Sequence, residues 1–156
     1  MTRQNISKYC TYAEATKSDY AIRKGLNNTP NSEQLQNMAN IATKIFDPVR
    51  DWLGKPLAIS SFYRSPEVNK AIGGATSSQH CHGEAIDIDC DIFGHGSNGS
   101  LFRYIKENFV YDQILWEYGD DENPDWVHVS LKREGVNRMQ CLRVVKSGGK
   151  THYIKY

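Results

Sequence analysis

The run Ser78-Gln79-His80-Cys81-His82-Gly83-Glu84-Ala85-Ile86-Asp87 constrains this chain more than any other stretch. It sets an imidazole and a carboxylate seven residues apart, with a glycine between them where the backbone can turn. A second imidazole, His128, lies far downstream in the strand-like Trp126-Val127-His128-Val129-Ser130. Two histidines and one aspartate are a donor set that Zn2+ accepts while leaving a fourth position open for water, the pattern of a catalytic rather than a structural site. A fold that uses this set must bring the middle of the chain and a segment near its end to one point.

At 156 residues and 17.8 kDa the chain suits one compact domain, residues 1–156. Its formal net charge is +1, and no stretch of five like charges occurs, which argues against a nucleic-acid partner. No apolar run reaches the length of a membrane span, and Met1 to Lys8 lacks the apolar core of a signal peptide, so the expected product is a soluble chain, cytoplasmic as synthesised. Cys10, Cys81, Cys90 and Cys141 form no CxxC pair and read as free thiols. Cys81 follows a candidate ligand; in an extended segment it points away from it and reads as packing.

Helices dominate the first half. Ser18-Asp19 and Gly25 bracket a short one, and Asn31 or Ser32 caps the clearest one. There Leu35, Met38, Ala42, Ile45, Val49 and Trp52 recur at spacings of three and four, giving one apolar stripe that ends at Gly54. Pro48 should kink or divide that helix. Pro56 to Ser60 fits a strand, Ser65-Pro66-Glu67 opens another helix, and Ser100 to Phe109 reads as amphipathic. Strands dominate the rest. Between Glu84 and Cys90, Ile86 and Ile88 face one way and Ala85, Asp87 and Asp89 the other. Asp112 to Glu117 and Trp126 to Leu131 suggest an antiparallel pair, and residues 141–156 a closing hairpin around Gly148-Gly149. The class is α+β.

On the Trp126–Leu131 strand, Val127, Val129 and Leu131 share a face suited to the core, which turns His128 towards a cleft. One strand carrying Asp87 and another carrying His128, with His80 in the entering loop, can close a three-ligand site. A water in such a site needs a general base; Glu117, at a strand end, and Asp125, three residues before His128, are the candidates, Glu117 first. Arg64, between a strand and a helix start, can project a guanidinium onto a carboxylate or an oxyanion. His82 and Asp89 read as a substrate or ligand-orienting contact, or as plain surface groups. His95 and His152 read as surface residues.

The Ser78–Asp87 run matches in full the Ser-x-His-x-x-Gly-x-Ala-x-Asp pattern of the M15 family of zinc peptidases, which includes D-Ala-D-Ala carboxypeptidases and phage endolysins. Ser61 to Asn69, containing Arg64, resembles that family's serine–arginine–asparagine segment, and Tyr111–Glu117 with Trp126–Ser130 is similar to its third-ligand region. The likeness runs from about residue 10 to 131. It implies a hedgehog/DD-peptidase-like fold with a central antiparallel sheet and helices packed around it. It also implies one Zn2+ held by His80, Asp87 and His128, with Arg64 as a substrate or transition-state contact. Many members place a glutamate where this chain has Asp125; the related hedgehog domains place theirs where Glu117 lies. The implied substrate is a peptidoglycan stem peptide, cut at D-Ala-D-Ala or L-Ala-D-Glu; a chain read as having no leader fits an enzyme released to the wall by a phage lysis or virion system, or a cytoplasmic dipeptidase. A non-catalytic zinc-binding module of the same fold is the alternative.

Overall fold

The computed structural model describes residues 5–156; Met1–Gln4, part of the stretch read as lacking a leader, lie outside them. Among the described residues no helix is long and apolar enough to cross a membrane. Thr11 caps α1 (Tyr12–Ala15) and Ser18 caps α2 (Asp19–Lys24), each side chain accepting a backbone N–H of the first turn. Gly25 closes α2 in the left-handed region at φ 64°.

Helix α3 (Ser32–Ile41) begins at Asn31 with a reciprocal capping box to Gln34. It runs without a break through a π-helical turn (Ala42–Phe46) into α4 (Asp47–Leu53). Pro48 accounts for that turn. It has no N–H to bond four residues back, and the Asp47 N–H before it reaches Ala42 O, five residues back. The expected break is therefore a local change of hydrogen-bond register within one long helical segment. Met38, Ile41, Ile45 and Val49 are buried, whereas Trp52, read as part of the same stripe, is 44% exposed and stacks on Tyr104 at 4.2 Å.

Six strands form one sheet: β1 (Ala58–Ser61), β2 (Ala85–Asp89), β3 (Gln113–Glu117), β4 (Trp126–Ser130), β5 (Gln140–Ser147) and β6 (Lys150–Lys155), in the order β1-β2-β4-β3-β5-β6. The α+β class and the β5–β6 hairpin match the sequence expectation. The sheet is antiparallel except at β3–β5, which is parallel. The segment after β4 returns to the start of β3, where Met139 N–H donates to Tyr111 O and Gln140 N–H to Asp112 O, so β5 sets out alongside β3 in the same direction.

Three local readings need correction. Gln79–His82 is a 3-10 turn, not an extended segment, so Cys81 is buried by the turn and not by strand alternation. Asp89 caps a one-turn helix α6 (Cys90–Phe93), and α7 (Asn98–Asn108) starts two residues before Ser100 because Ser97 caps it. Helix α5 (Pro66–Ala71) follows the Ser65 cap as expected.

The sheet has one dry face and one open face. Ile86, Ile88, Ile114, Trp116, Val127 and Val129 are fully buried in the core shared with α3 and α7, each such side chain contributing about 1.5–3 kcal/mol. The alternate residues of the same strands, Asp87, Leu115, Glu117, Trp126 and His128, line a cleft on the other face.

Candidate active site

Asp87 on β2 and His128 on β4 are direct cross-strand partners, so alternation and register alone place their side chains side by side. His80 comes from the 3-10 turn, which Gly83 closes at φ +74°. A Cβ on Gly83 would lie 2.6 Å from Gln34 O, so glycine is required both for the turn and for its close approach to α3. Helix α3 grips the turn from behind. Gln34 Nε2 donates to Cys81 O at 3.1 Å and Asn37 Nδ2 to His82 O at 2.8 Å.

The donor atoms of His80, Asp87 and His128 lie within 4.8 Å of one another. His80 Nε2 stands 3.3 Å from Asp87 Oδ2, and His128 Nδ1 stands 2.9 Å from Asp87 Oδ1. His80 Nδ1 lies 2.7 Å from Phe62 O. A carbonyl only accepts, so Nδ1 carries a hydrogen and Nε2 is the atom turned to the cluster, the orientation of metal-ligating histidines. In a tetrahedral site with ligand bonds of about 2.0–2.1 Å the donors stand about 3.3 Å apart, close to the spacing here. Asp87 is 8% exposed. Burial pushes its carboxyl up, but the imidazoles of His80 and His128 outweigh that and hold it well below the ordinary carboxylate value. These residues fit Zn2+: two imidazole nitrogens, one carboxylate oxygen, and an open side towards the cleft.

The cleft, of about 730 Å3, also takes in Arg64, Gln79, Glu117, Lys132, Arg138 and Tyr153. Glu117, half-buried at the end of β3, is raised from 4.5 to about 7, chiefly by burial; the Asp87 charge adds to the rise and His128 opposes it. The second candidate base, Asp125, is exposed and is not among the cleft-lining residues. Its backbone N–H donates to Glu117 O at 2.8 Å and its carbonyl accepts from Asn98, which fixes it behind the strand end. Arg64 is brought to the cluster by its own N–H, which donates to His80 O at 3.2 Å. Its guanidinium donates to Asn69 Oδ1 at 3.0 Å and Ser61 Oγ at 3.4 Å. Asp89 turns away, accepting from Asp91 N–H and Asn98 Nδ2. His82 is exposed at the cleft edge, and burial raises the Cys81 thiol, which keeps it a packing group.

Sequence reasoning gave no role to several residues that shape this site. Ser61 and Asn69 aim the Arg64 guanidinium. Asp112, with no exposed surface, accepts from Gln79 Nε2 at 3.1 Å and from Arg138 Nη2 at 2.7 Å, with Lys132 Nζ 3.7 Å away. It thereby ties the signature turn to the segment after β4. Its signal in the sequence was only a charged residue before an apolar strand, and Tyr153 carried no local signal.

The Peptidase M15 family model matches residues 8–130. The chain belongs to peptidase family M15. The matched segment carries His80, Asp87, His128, Arg64 and Glu117, and it ends at the last residue of β4. No curated protein matches the sequence. Among solved structures, that of the LD-carboxypeptidase LdcB, described with the molecular basis of its peptidoglycan recognition, is 19% identical with a TM-score of 0.41. The alignment covers 67% of this chain and 64% of that one, so this M15 member spans somewhat under two thirds of its length.

Proposed function

We propose that this M15 member is a zinc-dependent peptidase that hydrolyses peptide bonds of peptidoglycan stem peptides. The observation that carries the reading is the convergence of His80 Nε2, the Asp87 carboxylate and His128 Nδ1 in a cleft that also holds Glu117. His80, Asp87 and His128 would hold one Zn2+ per chain. When bound there, the ion supplies Lewis acidity, polarising a carbonyl and acidifying water.

The remaining work falls to the chain. Glu117 takes a proton from the attacking water at its carboxylate and returns it to the departing amine. Burial beside the cleft raises its proton affinity in the metal-free chain, which favours taking up that proton. Arg64, steadied by Ser61 and Asn69, has further N–H groups to offer a substrate carboxylate or the developing oxyanion. The buried face of β2 and β4 keeps the Asp87–His128 pair rigid, so the donors need little rearrangement.

The test is metal analysis together with incubation on purified peptidoglycan, reading new amino termini by mass spectrometry. About one zinc per chain and zinc-dependent products are expected. Glu117→Gln should lower turnover by roughly 10²–10⁴-fold, while Asp125→Ala lowers it less than tenfold. Turnover that survives the first change and fails on the second would move the base to Asp125. One equivalent of zinc with no product from any wall type would favour a non-catalytic binding module.

A further inference from the structure

Trp126 on β4, Glu117 on β3, Val144 on β5 and Tyr153 on β6 are register partners in turn, forming one row across four strands. At about 4.8 Å per strand the row is about 14 Å long. An aromatic ring stands at each end: Trp126 half-buried, Tyr153 61% exposed, both lining the cleft. A third ring adjoins the Trp126 end. Strand alternation would send Tyr118, next to Glu117, to the helix-covered face. Its backbone instead turns into the left-handed region at φ 57°, pinned by its N–H to Val144 O at 2.9 Å. The Tyr118 ring consequently meets Trp126 edge-to-face at 5.6 Å, with Lys146 Nζ 5.8 Å from its centroid. A non-glycine residue at positive φ is uncommon and costly, so the surrounding structure holds the ring in this place. Val144, Lys146 and Tyr153 lie beyond residue 130, outside the family-matched segment, so membership of the family does not account for the row.

We propose that this aromatic row is a saccharide subsite. It takes sugar rings of the glycan strand that carries the stem peptide, on the side of the cleft next to Glu117. The inference rests on the peptidase reading above and deepens it. Aromatic faces pack well on flat apolar surfaces, and the alanyl and glutamyl residues of a stem peptide offer little of one, while a diamino-acid ammonium engages a single ring. The C–H face of a pyranose is such a surface, and its hydroxyls suit the Lys146 ammonium at the rim.

Only the Trp126 end of the row is near the donors: Trp126 lies two residues along β4 from His128, about 7 Å, whereas Tyr153 stands three strands further across the sheet, about 16 Å from His128. A ligand that uses both ends therefore spans more than one ring, as linked pyranoses do.

The test compares GlcNAc-MurNAc-L-Ala-γ-D-Glu-L-Lys-D-Ala-D-Ala with the same pentapeptide lacking the disaccharide, on the full zinc-loaded chain. The glycan-linked substrate should show roughly tenfold higher kcat/KM, the equivalent of one aromatic contact. Tyr153→Ala should bring the ratio of the two substrates towards one. His152→Ala, an exposed change on the opposite face of β6, should leave the ratio in place. Equal rates on both substrates, or an unchanged ratio in Tyr153→Ala, would overturn the subsite. Tryptophan fluorescence titrations with the same two compounds separate the two claims. Preference for the glycan-linked compound without hydrolysis would uphold the row and remove the peptidase, whereas hydrolysis without preference would do the reverse.

Discussion

Replacing Glu117 by glutamine should stabilise the metal-free protein, and the gain should depend on pH in a defined way. In the folded chain burial raises this carboxyl from 4.5 to about 7. The folded state therefore binds a proton more tightly than the unfolded state, and stability falls as pH rises through the interval between those values. Below about pH 4.5 the carboxyl is protonated in both states, and the wild type and Glu117→Gln should be equally stable. Above about pH 7 it is ionised in both, and the folded wild type carries the full cost of a buried carboxylate. A difference of about 2.5 units at 1.36 kcal/mol per unit sets that cost at about 3 kcal/mol. Urea denaturation after exhaustive chelation is the assay. At pH 8 the variant's midpoint should lie about 1–2 M above the wild type's, with the gap closing towards pH 4.5. Parallel midpoints for the two proteins from pH 4.5 to 8 would refute the argument, since they would show that the carboxylate is not desolvated. The prediction concerns a residue that lowers stability where it is charged, the expected signature of a group retained for chemistry.

Two further changes test the frame around the site. Gly83→Ala forces a Cβ onto a residue at φ +74° and within 2.6 Å of Gln34 O; it should cost more than about 2 kcal/mol by urea denaturation and weaken zinc binding by displacing His80. Stability and zinc affinity both within error of wild type would show that the turn is not set by this glycine. Asp112→Asn removes the charge that Arg138 and Lys132 share, and since both cations keep solvent contact the loss should be about 2 kcal/mol, measured by the same denaturation; a change below about 0.5 kcal/mol would show the cluster to be energetically idle.

Legibility in the sequence followed the range of the interaction. The caps at Ser18 and Asn31, the stop at Gly25 and the alternation from Ala85 to Asp89 are local, and they appear where the sequence put them. The juxtaposition of Asp87 and His128 was also readable, because each strand's alternation states which face is dry. What escaped depends on partners distant in the chain. Nothing near Gln140 announces that β5 will run parallel to β3, since that pairing is nucleated by Tyr111 and Asp112 carbonyls. The π-helical turn before Pro48 was half visible: the missing N–H predicts a disturbance, but whether the helix breaks or shifts register is decided by burial of Ile45 and Phe46. For the same reason the sequence ranks Glu117 ahead of Asp125 without excluding Asp125, and their separation in space depends on the strand end. Glu117 is a register partner on the open face, while Asp125 sits one residue outside β4 with its backbone committed to Glu117 and Asn98.

Of the three donor residues, two stand on paired strands and one on a turn, and the structure compensates for that difference. Asp87 and His128 inherit their precision from the ladder. His80 has no ladder, and its position comes from the Phe62 carbonyl on its ring and from two amide side chains of α3 on the carbonyls that follow it. Gln34 does this while also closing the capping box that starts α3, so the beginning of that helix and the geometry of the turn are one structure. Asn37 does it while accepting from Arg133 Nε at 2.8 Å, which couples the turn to the segment beyond β4. That segment leads into the hairpin carrying Tyr153 and holds Lys132 and Arg138 at the cleft edge. The residues outside the family-matched region are thus joined to the signature turn by buried or half-buried hydrogen bonds at Asn37 and Asp112. A change in the hairpin can therefore reach His80 through the frame, without touching any of the three donors.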